Sequence, residues 1–185
     1  MHDFKKSLKQ SKIDATAWWW EPVYLQGFPD LKRMEYEHDL EEQLRGIDRK
    51  IWLHSGELLT FDEKVRKDDY GDFLLEIWSD VERKVKGWSR KDLACHYIAY
   101  VVKPSRLCFF IPFPPLRQAL EANRPEWKEK GNAGCEGFDK KDSPNKGYVT
   151  RNLAVPRKVL MDAVPGVKVC TWTRRPRTTM WGAVQ

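Results

Sequence analysis

Residues 46–66 read GIDRKIWLHSGELLTFDEKVR, and no other stretch limits the fold as much. Two short runs of strand-forming residues flank a turn, which predicts a β-hairpin over residues 47–66. Its register matters because a one-residue slip sends every side chain to the opposite face. A two-residue Ser55-Gly56 turn would set Asp48 against Glu63 and point Lys64 to the other face. A three-residue His54-Ser55-Gly56 turn sets Asp48 opposite Asp62, with Lys64 two residues further along the same face. That longer turn needs a left-handed residue at its third position, where Gly56 stands. Turn chemistry therefore favours the register that gathers Asp48, Asp62 and Lys64.

Facing strand residues lie about 5 Å apart at Cβ. Two ionised carboxylates at that separation repel unless something positive sits between them. A divalent cation with oxygen ligands is the natural filler. Lys64, on the same face, can hold or help deprotonate a water bound to such an ion. The plainer reading is a solvated hairpin face with an incidental ion pair, which a chain with 32% charged residues readily produces.

Around the hairpin the pattern alternates between helix and strand. Phe4 and Leu8 share a helical face that Asp3 can cap, and a second helical piece follows through TAWWWEPVYLQGF, started or kinked at Pro22. LKRMEYEHD alternates as a strand, KDDYGD reads as a turn and FLLEIWS as another strand. SRKDLACHYIAYVV begins like a helix capped by Ser89 and ends like a strand. RLCFFIPF is a buried-looking strand, PPLRQALEANRPEWKEK a helix opened by proline, YVTRNLAVP a strand and RKVLMDAV a short helix. The expected organisation is one α/β domain over residues 1–170, a mobile Gly/Asn/Asp-rich loop near residues 129–147, and a basic tail over residues 171–185.

Charge and composition narrow the partners. The 185 residues are 41% hydrophobic, enough for one real core. Lys and Arg number 33 against 27 acids, a net charge of +6 that suits a polyanion. Within KVKGWSRK, Trp88 stands among Lys84, Lys86, Arg90 and Lys91, a basic aromatic loop suited to phosphate and base contact. Trp18, Trp19 and Trp20 cannot all face one core from a single helix, so at least one is expected at the surface. No apolar run approaches the length of a membrane span, and MHDFKKSLKQSKID lacks an apolar signal core, so a cytoplasmic protein is expected. Cys95, Cys108, Cys135 and Cys170 form neither a C-x-x-C pair nor zinc-ligand spacing, and free thiols are expected. A homodimer is compatible with the sequence, but nothing in it requires one.

The order helix, strand, GIDRKI, turn, LLTFDEKVR, helix, strand resembles the PD-(D/E)XK nuclease superfamily, over residues 15–115. The segments around it are also similar to small uncharacterised nuclease-like proteins of bacteria and phages. The resemblance implies a three-layer, restriction-endonuclease-like core with a central mixed sheet flanked by helices. It implies that Asp48 and Asp62 bind Mg²⁺ or Mn²⁺, with the backbone carbonyl of Glu63 a further ligand and Lys64 orienting the attacking water. It also implies hydrolysis of phosphodiester bonds in nucleic acid, DNA ahead of RNA. Ile47 stands where proline is common in the family. Many members add a helix glutamate, for which Glu21 is the match despite the Pro22 that follows it; Glu35, Glu37 and Gln43 are alternatives. The competing expectation is a non-catalytic nucleic-acid-binding module, or a phage interaction protein, that keeps the fold.

Overall fold

A computed structural model of the chain describes residues 13–173. Helix α1, Trp20–Gly27, leads into strand β1, Leu31–Tyr36. Helix α2, Leu40–Leu44, is capped by Asp39, whose carboxylate accepts from the N–H groups of Glu41 and Glu42. Strands β2, Arg49–Leu53, and β3, Leu58–Arg66, form the hairpin. Then come β4, Asp72–Asp80, the short β5, Val85–Lys86, and a single 3₁₀ turn at Trp88–Arg90. Strands β6, Tyr97–Val102, and β7, Leu107–Pro112, precede helix α3, Phe113–Asn132, whose first turn carries two prolines. Strands β8, Asp139–Asn145, and β9, Tyr148–Pro156, helix α4, Arg157–Ala163, and strand β10, Lys168–Thr171, complete the described chain.

The strands form two sheets, one of six strands in the order β1-β2-β3-β6-β7-β10 and one of four in the order β5-β4-β9-β8. In the larger sheet only β3 and β6 run parallel, and β6 is buried along almost its whole length. That suits YIAYVV, which is apolar at nearly every position, as a strand covered on both faces must be.

Each face of the larger sheet has its own core. On one face α1 sets Trp20, Val23 and Tyr24, and Phe28 just after it, against Ile51, Phe61, Val101 and Phe110. On the other, Ile98, Tyr100, Phe109 and Ile111 meet Phe73, Leu75, Leu153 and Val155 of the smaller sheet, with Leu116 and Leu120 of α3 and Leu160 of α4. Phe61, Phe73 and Phe110 are fully buried, each contributing roughly 1.5–3 kcal/mol by leaving water. The second core is tied across by the Leu74 N–H, which donates to Tyr100 Oη at 3.0 Å, and by an Arg66–Asp72 ion pair. The architecture is therefore mixed α/β, but one face of the main sheet is covered largely by a second sheet. Helices pack on both faces, α1 on one, and α3 and α4 beside the smaller sheet on the other.

Several expectations change. The helix expected from Ser89 reduces to the Trp88–Arg90 turn, because Ser89 Oγ donates to the Glu76 carbonyl at 2.5 Å. The segment is thus tied to β4, and Gly87 makes it possible: a Cβ there would lie 2.2 Å from the Glu76 carbonyl oxygen. The stretch near residues 129–147 expected as a loop contains the end of α3 and strand β8, joined by irregular chain over 133–138, and Asp142 of β8 pairs with both Arg151 Nε and Nη2 at 2.8 Å. Of the basic tail expected over residues 171–185, only 171–173 are described: Thr171 ends β10 and Trp172 is buried against Trp19, ring centroids 5.8 Å apart. Trp18 and Trp19 are half-buried and pack on the α1 core, so neither is an open surface ring. The helix expected around Phe4 and Leu8, and all of TRRPR but Thr173, lie outside the described residues. The four cysteines are free, as expected.

Candidate metal and catalytic site

The hairpin closes in the three-residue register. Arg49 faces Phe61 and Ile51 faces Leu59, the Leu53 N–H donates to the Glu57 carbonyl at 2.9 Å, and Gly56 has φ 91°. The paired ladder ends at Arg49 and Phe61, and Asp48, one residue beyond it, comes close to Asp62. Asp48 is held from both sides. Its N–H donates to the Phe61 carbonyl and its carbonyl accepts from the Glu37 N–H, both at 2.8 Å. Its Oδ2 accepts from the Glu63 N–H at 2.8 Å, which aims the carboxylate across the end of β3.

Alternation along β3 sends Asp62 and Lys64 to one face and Glu63 to the other. Lys64 Nζ donates to Asp62 Oδ1 at 2.5 Å and lies 5.9 Å from the Trp88 ring centroid. Asp62 Oδ2 is buried and receives no hydrogen bond, the only such side-chain oxygen among the described residues. Burial first, and the neighbouring Asp48 carboxylate as well, push the Asp62 carboxyl up to about 7 against the pull of Lys64. A proton on Asp62 would let it share a hydrogen bond with Asp48; the pair as two anions lacks one positive charge. Burial works against the Lys64 charge, but Asp62 and Asp48 outweigh it and raise the pKa. Lys64 is therefore a fixed ammonium rather than a base. The nearby Cys95 thiol is pushed up to about 12, by burial and then by Asp62, and is inert as a nucleophile.

Glu63 occupies a different environment. Its carboxylate accepts from Arg49 through both Nε and Nη2, and from Tyr24 Oη at 3.2 Å. Arg49 also donates to the Ala15 carbonyl at 2.8 Å and lies 5.5 Å and 5.6 Å from the ring centroids of Trp20 and Tyr24. Burial pushes the Glu63 carboxyl up to about 7 against Arg49, and the same burial raises the Tyr24 hydroxyl well above its ordinary value. Sequence reasoning used only the backbone of Glu63. The signal for its side chain was present: once Asp62 faces Asp48, Glu63 must face the side that carries Arg49.

The other expected residues are dispersed. Glu21 is in the first turn of α1, which covers the Glu63 face, so its helix lies across the sheet from Asp62 and Lys64. Gln43 donates to Tyr36 Oη at 3.1 Å and the Glu37 carbonyl at 2.7 Å; Glu35 pairs with Arg33 at 3.2 Å and Glu37 with Lys50 at 2.5 Å. Of the basic loop, Lys86 and Arg90 line one cleft with residues of α3. Lys84 and Lys91 are exposed outside it, and half-buried Trp88 packs on the second core instead of presenting a free stacking ring.

The donor set suits a hard cation. Two carboxylates converge, one with a buried, unsatisfied oxygen. A strand residue directs its N–H and C=O to the same edge, so the Glu63 carbonyl shares the edge on which its N–H meets Asp48. Oxygen ligands few in number fit Mg²⁺ or Mn²⁺, which retain several waters. Among the described residues, no group of three or more His, Cys, Asp or Glu side chains is arranged to hold a metal. Among them, too, no helix is long and apolar enough to cross a membrane. No family model, no curated protein and no solved structure matches this chain.

Proposed function

We propose that the protein is a metal-dependent nuclease of the PD-(D/E)XK type that hydrolyses phosphodiester bonds in nucleic acid, with DNA as the first substrate to try. One observation carries the reading: the buried, unsatisfied Asp62 Oδ2 beside the Asp48 carboxylate, with the Lys64 ammonium on the same face. Asp48, Asp62 and the Glu63 carbonyl would hold Mg²⁺ or Mn²⁺. Such an ion supplies a water of lowered pKa and offsets charge on the scissile phosphate.

The chain's own residues do the rest. The Glu63 N–H and the backbone clamps on either side of Asp48 fix that carboxylate in place. Asp62, buried and short of one positive charge, favours whatever cation enters over bulk water. Lys64, held as an ammonium by the two acids, orients the attacking water and stabilises charge that builds on the phosphate oxygens. Behind them the Arg49–Glu63–Tyr24 network fixes the backbone of β3 from which Asp62 and Lys64 project.

The test is cleavage of duplex, single-stranded and branched DNA and of RNA with Mg²⁺, Mn²⁺ or Ca²⁺. Wild type is expected to cut with Mg²⁺ or Mn²⁺ and poorly with Ca²⁺, whose looser coordination positions water less well. Asp62→Asn and Lys64→Ala are each expected to lose about a hundredfold or more in rate while binding holds. Variants that cut as fast as wild type would place the activity elsewhere. A second reading, a non-catalytic nucleic-acid-binding module, is favoured by the small donor set of two carboxylates. It predicts salt-sensitive binding with no cleavage under any of these ions.

A further inference from the structure

A cleft of about 220 Å³ opens between the Trp88–Arg90 turn and one side of α3. Its walls carry Lys86 and Arg90 from the turn side, and Arg117 and Arg124 from the helix, with Glu121 as the one acid. Glu121 is already engaged by Arg117 at 3.4 Å, and Arg117 also donates to the Lys91 carbonyl at 2.5 Å. Those two lining charges therefore largely cancel. Among the described residues, no carboxylate forms an ion pair with Lys86, Arg90 or Arg124.

The arginines are arranged as a receptor would need. Arg90 stacks over the Trp78 ring, 4.1 Å from its centroid, which restrains the guanidinium over the cleft. Arg124 lies near enough to repel it: burial first, then the Arg124 charge, hold the Arg90 pKa below its ordinary value. Ile77 and Leu120 add apolar lining to the same cleft. A stacked guanidinium with a second one lining the same cleft, neither paired to an acid, makes a site for a small oxyanion. The volume is below the roughly 300–1,000 Å³ of pockets that enclose a whole drug-sized ligand. It suits one charged group of a larger ligand that passes over the surface.

We infer that this cleft seats a backbone phosphate of the nucleic-acid strand, gripped by Arg90 and Arg124 with Lys86 at the mouth. The inference rests on the nucleic-acid reading above and adds α3 to the binding surface, through a residue outside the basic loop. It makes the cleft a positioning site and leaves the chemistry to the hairpin.

The experiment compares wild type, Arg124→Ala, Arg124→Glu and Lys158→Ala by fluorescence anisotropy on labelled DNA across a salt series, with Mg²⁺ cleavage measured in parallel. Lys158 is an exposed residue of α4 outside the cleft and controls for the loss of one charge. Arg124→Ala is expected to weaken binding about tenfold at moderate salt and to reduce the log–log salt slope by about 1. Arg124→Glu supplies Arg90 with an internal partner and is expected to weaken binding further, while Lys158→Ala stays within about twofold of wild type. Circular dichroism checks that each variant is folded. Affinity and slope unchanged in both Arg124 variants would overturn the inference, even if the protein cuts DNA. Loss of binding in those variants, in a protein that cuts nothing, would uphold the cleft and sink the nuclease. No binding to any nucleic acid at low salt would sink both.

Discussion

Strand β3 carries two buried acids side by side, and its two faces treat them in opposite ways. Glu63 meets a guanidinium fork and a phenol hydroxyl, so its oxygens are supplied with donors. Asp62 meets one ammonium on Oδ1, nothing on Oδ2, and a second carboxylate nearby. Burial pushes both carboxyls up to about 7, so desolvation alone does not tell the faces apart. The difference is in what surrounds each acid. A saturated buried pair is part of the framework, whereas an unsaturated one stores a demand for positive charge.

The largest effect expected from this contrast is on the saturated side. Arg49→Ala strands the Glu63 carboxylate in the α1 core, where Arg49 and Glu63 side chains are only 6% and 5% exposed. Removing one partner of such a pair should cost about 3–5 kcal/mol, read by urea unfolding. A loss under about 1 kcal/mol would mean that Glu63 simply takes up a proton and that the network is dispensable. On the other face Mg²⁺ or Mn²⁺ should raise the melting temperature of wild type by roughly 2–4 °C at about five times Kd. Asp62→Asn should abolish that rise, and equal shifts in both proteins would show that the ion binds elsewhere.

A third effect is on pH dependence without metal. An acid raised to about 7 in the folded state keeps a proton that the unfolded chain, titrating near pH 4, has already released. Stability should therefore fall as pH rises from about 4 through 7 and level off above. Asp62 and Glu63 push in the same direction, so Asp62→Asn should flatten the decline without removing it. At pH 8 without metal Asp62→Asn should melt slightly above wild type. Parallel stability curves for the two proteins would break the claim that Asp62 is held at a cost.

Much of the candidate site was legible because Gly56 fixed it locally. A single left-handed residue decides the turn, the turn decides the register, and the register decides which acids meet. Most strands were legible for a similar reason, since their alternation is local. The parts that were not legible depend on contacts far apart in the chain. Ser89 has the chemistry of a helix cap, but its hydroxyl goes to β4. DKKDSPN has loop composition and becomes a strand because β9 pairs with it along its length. Strand β10 buries only Cys170, too little alternation to reveal a strand beforehand. Arg124 sits on a helix that sequence places correctly, but only folding brings it into one cleft with Arg90.

The order of strands has a consequence for how the chain can be divided. Strands β4 and β5 of the smaller sheet interrupt the larger one between β3 and β6, and β8 and β9 interrupt it again between β7 and β10. No single scission can therefore release either sheet whole. A fragment ending after β7 would leave β4 without β9, and one starting at β4 would leave β6 without β3. Trimming from either end therefore cannot remove one sheet whole and leave the other intact.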